Sequence, residues 1–280
     1  MPELPEVETI VRQLAPRLRG RRLTSIELLD PKLELPGGAV VTGSTVRETL
    51  RLGKRVVLEL IGGEDIGVEV TRTRWLAFHL RMTGRLSWLE PGGDYLEDHL
   101  RALLRFDGGN LLFHDVRRFG TLSLHHERAD AEPAGLDPLS DGFTVDWLAE
   151  RLAATRQQIK VWLLRQDRLA GLGNIYASEI LFAAGISPFT PAQSLEYPQI
   201  EKLHHAVVDV LRRAVENRGT TFSDYRDAAG ERGGFQERLA VYGRENERCP
   251  RCGSPVLRCV QCQRSTFYCP DCQGSDGIEL

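Results

Sequence analysis

The sequence predicts an α+β protein of two domains, and three observations support this prediction. Short, partly alternating apolar runs fill the first half of the chain, as is typical of β-strands. Helical spacing of apolar residues replaces them after Thr144. All six cysteines lie in the last part, between Cys249 and Cys272. With 280 residues, the chain is long enough to build two separate cores.

The first element is predicted to be a helix with an unusual start. Its apolar residues recur at helical spacing, at Val7, Ile10, Val11, Leu14 and Leu18. Gly20 supplies a stop, and Pro5 suits a first helical turn. The glutamates at positions 3, 6 and 8 suit the positive end of the helix dipole. None of this explains why a second proline stands at Pro2.

The strands that follow predict an all-β sandwich or barrel capped by this helix. Seven short segments, such as KRVVLEL and FGTLSLHH, are separated by clusters of Gly, Pro and Asp. The polar stretch HERADAEPAGLDPLSDG then marks a change of organisation. We therefore predict a helix and sandwich domain over 2–130, a hinge over 131–145, a helical domain over 146–240 and a cysteine module over 241–275.

The charge and composition of the chain limit the kinds of partner it can bind. The net charge is −3 and the pI about 6.2, so a protein that binds a polyanion would have to concentrate its positive charge on one face. The lysines are only four, at Lys32, Lys54, Lys160 and Lys202. No apolar run is long enough to span a bilayer and no signal peptide opens the chain, so we expect a cytoplasmic protein without a membrane partner.

The cysteine spacing predicts one structural zinc ion. Two Cys-x2-Cys pairs stand sixteen residues apart, which fits a tetrahedral site made of Cys249, Cys252, Cys269 and Cys272. Cys259 and Cys262 compete for that role, but the flanking segments look like the two arms of a hairpin. Cys259 would then lie roughly 20 Å from the hairpin base. We interpret the middle pair as two free thiols near the tip.

Three further features suggest contact with nucleic acid, each beside an ordinary alternative. Near the hairpin tip, Arg264 with Arg244 and Arg248 would make a positive surface, unless these arginines are simply solvated. GLGN before a helix lets Asn174 cap the helix beside an anion, although a plain helix start is the alternative. Two strand-ending turns carry Met82 and Phe119 beside arginines; such apolar wedges can invade a duplex, while core packing is the default.

These residues together resemble one family. PELPEVE at the start, GK at Lys54, HLRMTG, RRFG, GLGNIYASE, RGTTF, VYGR and QRSTFYCPDC are similar to the motifs of the formamidopyrimidine-DNA glycosylases, in the same order and from end to end. Leu4 favours that branch over endonuclease VIII, which usually has Gly there. The resemblance implies a helix plus β-sandwich, a hinge, and a helical domain with a helix–two-turns–helix motif and a zinc-bound β-hairpin.

The resemblance also implies a role for Pro2. Removal of Met1 would leave a secondary amine, and an α-amino group has a pKa of about 8, so it is partly unprotonated and nucleophilic at neutral pH. Attack on C1′ of a deoxyribose would expel the base and form an iminium, which permits elimination. Glu3 would be the acid that protonates the sugar ring oxygen, and Glu6 would support the site. Lys54 would be the cation that meets the lesion or its phosphate.

The remaining roles implied by the resemblance concern DNA. The residues expected to contact it are Asn174, Arg117, Lys160 and Arg264, the last also counted with the catalytic set. The side chains expected to fill the space left by an extruded nucleotide are Met82, Arg117 and Phe119. A loop from Thr220 through Thr221 to Phe235 would close over the damaged base. The expected partner is double-stranded DNA with oxidised bases or abasic sites, bound by a monomer.

Several positions depart from the family pattern. Arg81, Val116 and Arg218 replace the usual Gly, Pro and Gly, the 62–73 loop is longer, and the Cys259–Cys262 pair is extra. They concern substrate preference more than chemistry.

Four hypotheses therefore stay open. The first is a glycosylase and abasic-site lyase, with β,δ-elimination, acting on 8-oxoguanine and formamidopyrimidines. The others are the same chemistry on oxidised pyrimidines, a non-catalytic binder of damaged DNA, and a small-molecule tautomerase with a proline base.

Overall fold

The computed structural model describes residues 1–36, 41–62, 64–65, 68–69, 72–222 and 225–274. It divides the chain into two compact units. The first unit comprises Met1–Pro133 together with Asn217–Gly234, and the second comprises Ala134–Glu216 together with Phe235–Leu280. The change of unit after Pro133 falls inside the segment 131–145 that the sequence marks as a hinge. No helix of the described residues combines the length and the apolar content that crossing a membrane requires.

The first unit is a β-sandwich with a helix at its start. Its helices are α1 (Leu4–Leu18) and α2 (Arg128–Ala131). Its strands are β1 (Leu23–Leu28), β2 (Thr45–Leu52), β3 (Arg55–Ile61), β4 (Glu64–Asp65), β5 (Val68–Glu69), β6 (Thr73–His79), β7 (Gly84–Leu89), β8 (Leu100–Phe106), β9 (Gly109–Asp115) and β10 (Thr121–His125). One antiparallel sheet has the order β10-β6-β3-β2 and the other β1-β8-β9-β7, while β4 and β5 pair as a short ribbon.

One apolar core joins α1 to both sheets of the sandwich. The five apolar residues that predict the helix are all buried in it, and they pack with buried side chains from each sheet. Phe78 on β6 and Phe113 on β9 meet edge to face, with ring centroids 5.8 Å apart. Because a single core holds α1, its N-terminus has a fixed place relative to the strands.

The second unit is helical and ends in a hairpin. Its helices are α3 (Val145–Ala153), α4 (Ile159–Leu163), α5 (Asn174–Ala184), α6 (Tyr197–Glu216) and α7 (Pro270–Gln273), and its strands are β11 (Leu257–Gln261) and β12 (Arg264–Tyr268). Two 3₁₀ turns cover Ala192–Ser194 and Phe235–Arg238. The α4 and α5 helices, joined by 164–173, form the expected helix–two-turns–helix. Gly185, in a left-handed conformation, ends α5.

The segment Asn217–Gly234 belongs with the first unit, although the sequence places it within the helical domain 146–240. The reason is a set of contacts with α1. Gln13 donates to Asp227 at 2.8 Å, and its amide oxygen accepts from the backbone N–H of Ala228 at 2.8 Å. Such contacts link residues more than two hundred positions apart, so local periodicity does not reveal them. Of the long 62–73 loop, residues 63, 66–67 and 70–71 lie outside the described residues.

Candidate active site and metal centre

The start of α1 is enclosed by the first unit. Pro2 and Glu3 are buried, whereas Met1 before them is 45% exposed. Glu3 is the N-cap residue of the helix, which begins at Leu4. The glutamate and the proline therefore lie side by side at the positive end of a helix dipole, where a carboxylate is favoured.

Glu6 connects this helix start to the segment Asn217–Gly234. One carboxylate oxygen accepts the backbone N–H of Glu3 at 2.7 Å, and the other accepts the backbone N–H of Thr220 at 2.7 Å. The Tyr225 hydroxyl donates to the Glu6 carbonyl at 3.2 Å. Burial, aided by the negative charge of Glu6, raises the pKa of Tyr225, so its phenol stays a donor. Glu6 thus holds Glu3 and the loop together, as a supporting residue does.

A close backbone approach makes this connection possible. Gly219 has a φ of +75°, and a Cβ there would lie 2.7 Å from Glu6 Oε1. A Cβ on Gly233 would lie 2.2 Å from the carbonyl oxygen of Gly219. Thr221 closes the same loop, because its hydroxyl accepts from the Gly233 N–H at 2.8 Å. Thr220 and Thr221 are buried, while residues 223–224 of the loop lie outside the described residues.

Lys54 lies in the tight turn between β2 and β3 and is buried, with 8% of its surface exposed. His79, at the end of β6, pairs with Arg55 in the sheet. Burial and the positive charges of Arg81, Arg55 and Lys54 lower the pKa of His79 to about 4. The imidazole is therefore neutral at physiological pH, and Nδ1 accepts the backbone N–H of Arg81 at 3.2 Å. This keeps Lys54 and Arg55 beside an uncharged ring.

The two predicted wedges project from the first unit. Met82 is 44% exposed and Phe119 is 52% exposed, so neither is a core residue. Arg117 joins them: its guanidinium carbon lies 4.9 Å from the centroid of the Phe119 ring, and Nη1 lies 3.3 Å from Met82 Sδ. The structure thus brings together the three side chains that the sequence predicts to fill a vacated space.

In the second unit, Asn174 and Lys160 support the hairpin. Asn174 Nδ2 donates to the carbonyl of Ser265 at 2.8 Å. Lys160 is buried, and its ammonium donates to the same carbonyl at 2.9 Å and to the Thr266 hydroxyl at 2.8 Å. Arg264, at the start of β12, is exposed beside this anchored stretch.

Three sequence expectations change here. The cap of α5 is Gly173, not Asn174, because the Asn174 side chain turns to the hairpin instead of the helix. Lys160 is only 1% exposed, so its charge serves the interior of the unit, and the geometry favours an indirect role in binding. Phe235 is also buried in this unit, with its ring 5.9 Å from that of Tyr176. It therefore lies outside the loop Asn217–Gly234.

Four cysteines come together at the base of the hairpin. The sulfurs of Cys249, Cys252, Cys269 and Cys272 all lie within 4.8 Å of one another and could hold a metal ion. Cys249 and Cys272 sulfurs are 3.8 Å apart, and those of Cys252 and Cys269 are 3.4 Å apart. Four sulfurs at about 2.3 Å from one ion would stand about 3.8 Å apart, so the donor set fits a tetrahedral zinc ion. Cys259 lies on β11 opposite Thr266, and Cys262 lies in the turn.

Sequence reasoning missed several residues that position this site. Thr83 and Asp115 hold the two wedge turns, and Gln13 holds the loop Asn217–Gly234. Glu179 on α5 accepts the backbone N–H groups of three successive residues, at 2.8 to 3.0 Å, namely Ala240, Val241 and Tyr242. A carboxylate inside an otherwise apolar helix such as NIYASEILFAA was the available signal for Glu179. Thr83, Asp115 and Gln13 gave none.

Comparison with known proteins agrees with these features. A family model described as the formamidopyrimidine-DNA glycosylase N-terminal domain matches residues 1–122, and one described as the H2TH domain of that enzyme matches residues 134–226. The formamidopyrimidine-DNA glycosylase of Chloroflexus aurantiacus is 42% identical over 266 residues, which is 91% of this chain and 91% of the relative.

Solved structures show the same likeness. The MutM (Fpg) protein of Thermus thermophilus is 41% identical, with a TM-score of 0.84 over 98% of this chain and 99% of that one. Wild-type Fpg of Lactococcus lactis, solved with N7-benzyl-Fapy-dG DNA, is 33% identical, with a TM-score of 0.84 over 97% of this chain and 99% of that one. Other structures of the Lactococcus protein contain abasic-site DNA or oxidised-pyrimidine DNA. The resemblance read from the motifs is confirmed, and the chain belongs to the formamidopyrimidine-DNA glycosylase family.

Proposed function

We propose that this protein is a base-excision repair DNA glycosylase with abasic-site lyase activity, acting on oxidised purines such as 8-oxoguanine and formamidopyrimidines. The observation that carries the proposal is the pairing of Pro2 with Glu3 at the enclosed start of α1, tied by Glu6 to the backbone of Thr220. The damaged-DNA complexes of the Lactococcus relative support the substrate class. The enzyme works as a monomer in the cytoplasm, since its substrate is one nucleotide of cellular DNA.

The chemistry follows from the two adjacent residues. Once Met1 is removed, the lone pair of the Pro2 nitrogen forms a bond to C1′ as the bond from C1′ to the base breaks; the base leaves with that electron pair and takes up a proton from water, and the nitrogen passes its own proton to the Glu3 carboxylate. Glu3 gives its proton to the ring oxygen of the sugar, which opens the ring and leaves an iminium between nitrogen and C1′. The iminium withdraws electrons from C2′, so a C2′ proton is lost and the 3′ phosphate leaves by β-elimination. The second, δ, elimination then releases the 5′ phosphate.

The rest of the chain supplies the grip on DNA. Lys54 offers a cation to the lesion or its phosphate, and Arg264 on the supported hairpin offers one to the flanking phosphates. Met82, Arg117 and Phe119 fill the space from which the nucleotide leaves, which lowers the free energy of base extrusion. The loop that carries Thr220 and Thr221 lies over the damaged base. A zinc ion held by Cys249, Cys252, Cys269 and Cys272 supplies fold stability to the hairpin and no catalytic step.

A preference for oxidised pyrimidines is the second candidate. It is favoured by the Lactococcus complex with oxidised-pyrimidine DNA and by the altered wedge region at Arg81 and Val116. Competitive cleavage of duplexes carrying 8-oxoguanine or an oxidised pyrimidine separates the two. Faster cleavage of the pyrimidine duplex would replace the purine assignment.

Borohydride trapping on a duplex with 8-oxoguanine opposite cytosine tests the proposal. We expect a covalent adduct that peptide mass analysis assigns to Pro2, which shows both steps and the nucleophile. An adduct formed only with an abasic duplex would keep the mechanism and assign a different lesion. With the amino terminus confirmed free, no adduct on either duplex would leave a non-catalytic DNA-binding protein.

A further inference from the structure

Two exposed turns of the first unit depend on one buried side chain. The first turn carries Met82 and closes with the Gly84 N–H donating to the Leu80 carbonyl at 2.9 Å. The second runs from Asp115 to Gly120 and carries Arg117 and Phe119. At the tips, the Arg117 guanidinium lies against the Phe119 ring and contacts Met82 Sδ. Exposed contacts of this kind are too weak to fix the position of one turn relative to the other. The interactions that fix it must therefore involve buried groups beneath the turns.

Asp115 is such a group for the second turn. Its side chain is 1% exposed, and one carboxylate oxygen accepts the Gly120 N–H at 2.6 Å. The other accepts the Arg117 N–H at 3.2 Å. Both ends of the tip that carries Phe119 are therefore bonded to one carboxylate, and charge-assisted hydrogen bonds of this kind are among the strong ones.

Thr83 links the same carboxylate to the first turn. Its hydroxyl donates to Asp115 Oδ1 at 2.5 Å and also accepts the Arg117 N–H at 3.1 Å. Thr83 directly follows Met82, and the next residue, Gly84, pairs with Asp115 in the sheet. A single hydroxyl of the first turn thus makes two hydrogen bonds to the second turn.

Arg101 on β8 supports the arrangement from beneath. It is 2% exposed, donates to the Gly120 carbonyl at 3.0 Å, and has Nη1 3.6 Å from Asp115 Oδ2. It also forms an ion pair with the buried Asp30, which in turn pairs with Arg118. The hydrogen bond from Arg118 is the main reason why the pKa of Asp30 is well below its ordinary value, so that carboxyl stays charged. The charges beneath the turns are therefore paired.

We propose that Thr83 and Asp115 are positioning residues that make the two turns a single wedge. This inference rests on the proposed function, because it assigns the wedge to the opening of a damaged duplex. Because Met82 and Phe119 are held in fixed relative positions before binding, both can enter the vacated space together. Binding then carries no added free-energy cost for ordering them. The lyase step on a single-stranded abasic site has no base pair to open, so it does not need the wedge.

The test compares Thr83→Val, Thr83→Ser and Asp115→Asn with Thr49→Val as the matched control. Within the described residues the Thr49 hydroxyl is buried without a hydrogen-bond partner, so its loss removes no link. One readout is the fluorescence of 2-aminopurine next to an abasic analogue in a duplex, which rises on unstacking and needs only binding. The other compares single-turnover rates on an 8-oxoguanine duplex and on a single-stranded abasic oligonucleotide. Thermal midpoints show whether each variant folds.

We expect Thr83→Val to lose most of the 2-aminopurine response and to slow the duplex reaction about tenfold or more, with the single-strand rate within about twofold of wild type. Asp115→Asn should be affected more strongly, and Thr83→Ser should recover. Equal losses on both substrates, or no loss in Thr83→Val, would overturn the inference. If the wild-type protein gives the fluorescence response but cleaves neither substrate, the proposed function is refuted and the wedge inference is retained. The absence of any wild-type response would refute the wedge.

Discussion

At the scale of single residues, the hydrogen bonds at the start of α1 are satisfied within the protein itself. The Glu6 carboxylate uses one oxygen for the Glu3 N–H and the other for the Thr220 N–H. Glu3, its neighbour by one helical turn, is equally buried but has the place next to Pro2. Two carboxylates on one helix start therefore have different surroundings: Glu6 is bonded to two backbone N–H groups, and Glu3 adjoins Pro2, where we propose that it acts as the acid.

Glu3→Gln keeps the shape of the side chain and removes its proton. If Glu3 is the acid that opens the sugar ring, the single-turnover excision rate should fall by about 10²- to 10⁴-fold while binding to an abasic-analogue duplex is retained. Glu8→Gln is the control on the same helix; Glu8 pairs with Arg12 and Arg51, and the rate should change by less than about twofold. A Glu3→Gln rate near that of Glu8→Gln would remove the acid role.

His79 makes the stability of the protein depend on pH. Its pKa is about 4 in the folded state, against about 6.5 for the unfolded chain, so the unfolded chain takes up the proton first as pH falls. The contribution is complete above the unfolded pKa and is lost as pH falls from about 6.5 toward 4. Urea unfolding at pH 7 and pH 5 should show a smaller loss for His79→Gln than for wild type. Equal losses would show that His79 is not neutral in the fold.

At the scale of elements, the loop Asn217–Gly234 and the hairpin are held by opposite means. The loop depends on backbone approach, since Gly219 brings the Thr220 N–H to Glu6 without a side chain in between. The hairpin depends on side chains, because Lys160 and Asn174 both reach the Ser265 carbonyl. A substitution of Gly219 should therefore affect the loop. A substitution of one of the four cysteines at the hairpin base should affect the hairpin.

Gly219→Ala should damage the loop more than its backbone strain alone explains. The φ of +75° disfavours alanine by about 1 kcal/mol, and the new Cβ would also lie 2.7 Å from Glu6 Oε1. Gly20→Ala is the matched control, with a φ of +77° and nothing within 4 Å of its Cβ. Urea unfolding and single-turnover excision should both show a larger loss for position 219. Equal losses would mean that the contact with Glu6 is not needed.

Zinc content tests the cysteine assignment. We expect about one equivalent of zinc in wild type, Cys259→Ser and Cys262→Ser, and its loss in Cys269→Ser, because a tetrahedral site needs all four thiolates. Atomic absorption per mole of protein gives the number, and binding to an abasic duplex should weaken together with zinc loss. Two equivalents in wild type, falling to one in Cys259→Ser, would give the middle pair a metal of its own.

At the scale of the whole molecule, the proposed binding of a polyanion has to succeed in spite of the protein's own charge. The net charge is −3, and many of the arginines are paired with carboxylates, as Arg47 with Glu59 and Arg105 with Glu27. Under the proposed function, the attraction to DNA comes from local cations, and the candidates are Lys54 in the first unit and Arg264 in the second. Binding through a few local cations would hold DNA only where those cations meet phosphates, and the net negative charge would keep the general affinity for nucleic acid low.

Affinity for an abasic-analogue duplex should fall steeply with salt. Between 50 and 200 mM salt we expect a loss of at least about tenfold, because each phosphate contact releases counterions. Arg264→Ala should reduce the slope of log affinity against log salt by about one. Arg151→Ala, on α3 beside Trp147, is the control and should leave the slope unchanged. Fluorescence anisotropy provides the affinities, and salt-independent binding would contradict the DNA assignment.

The sequence by itself determined the classes of element and the chemical inventory. Periodicity alone indicated the helix over 7–18, the strands and the helical half, because burial of one face repeats every 3.6 or every two residues. Cysteine spacing indicated the four sulfurs, since two close pairs in a hairpin need no distant partner to meet. The nucleophilic role of Pro2 is implied by the resemblance of the PELPEVE opening to one family, and it stays a prediction.

Only the tertiary structure decided which distant residues act together. It placed Asn217–Gly234 with the first unit through Gln13 and Glu6, turned Asn174 from a helix cap to a hairpin support, and buried Lys160. It also joined Thr83 to Asp115, thirty-two positions along the chain. These contacts leave no periodic signal, because one hydrogen bond between distant residues requires only one compatible side chain and a single partner, which is often a backbone group.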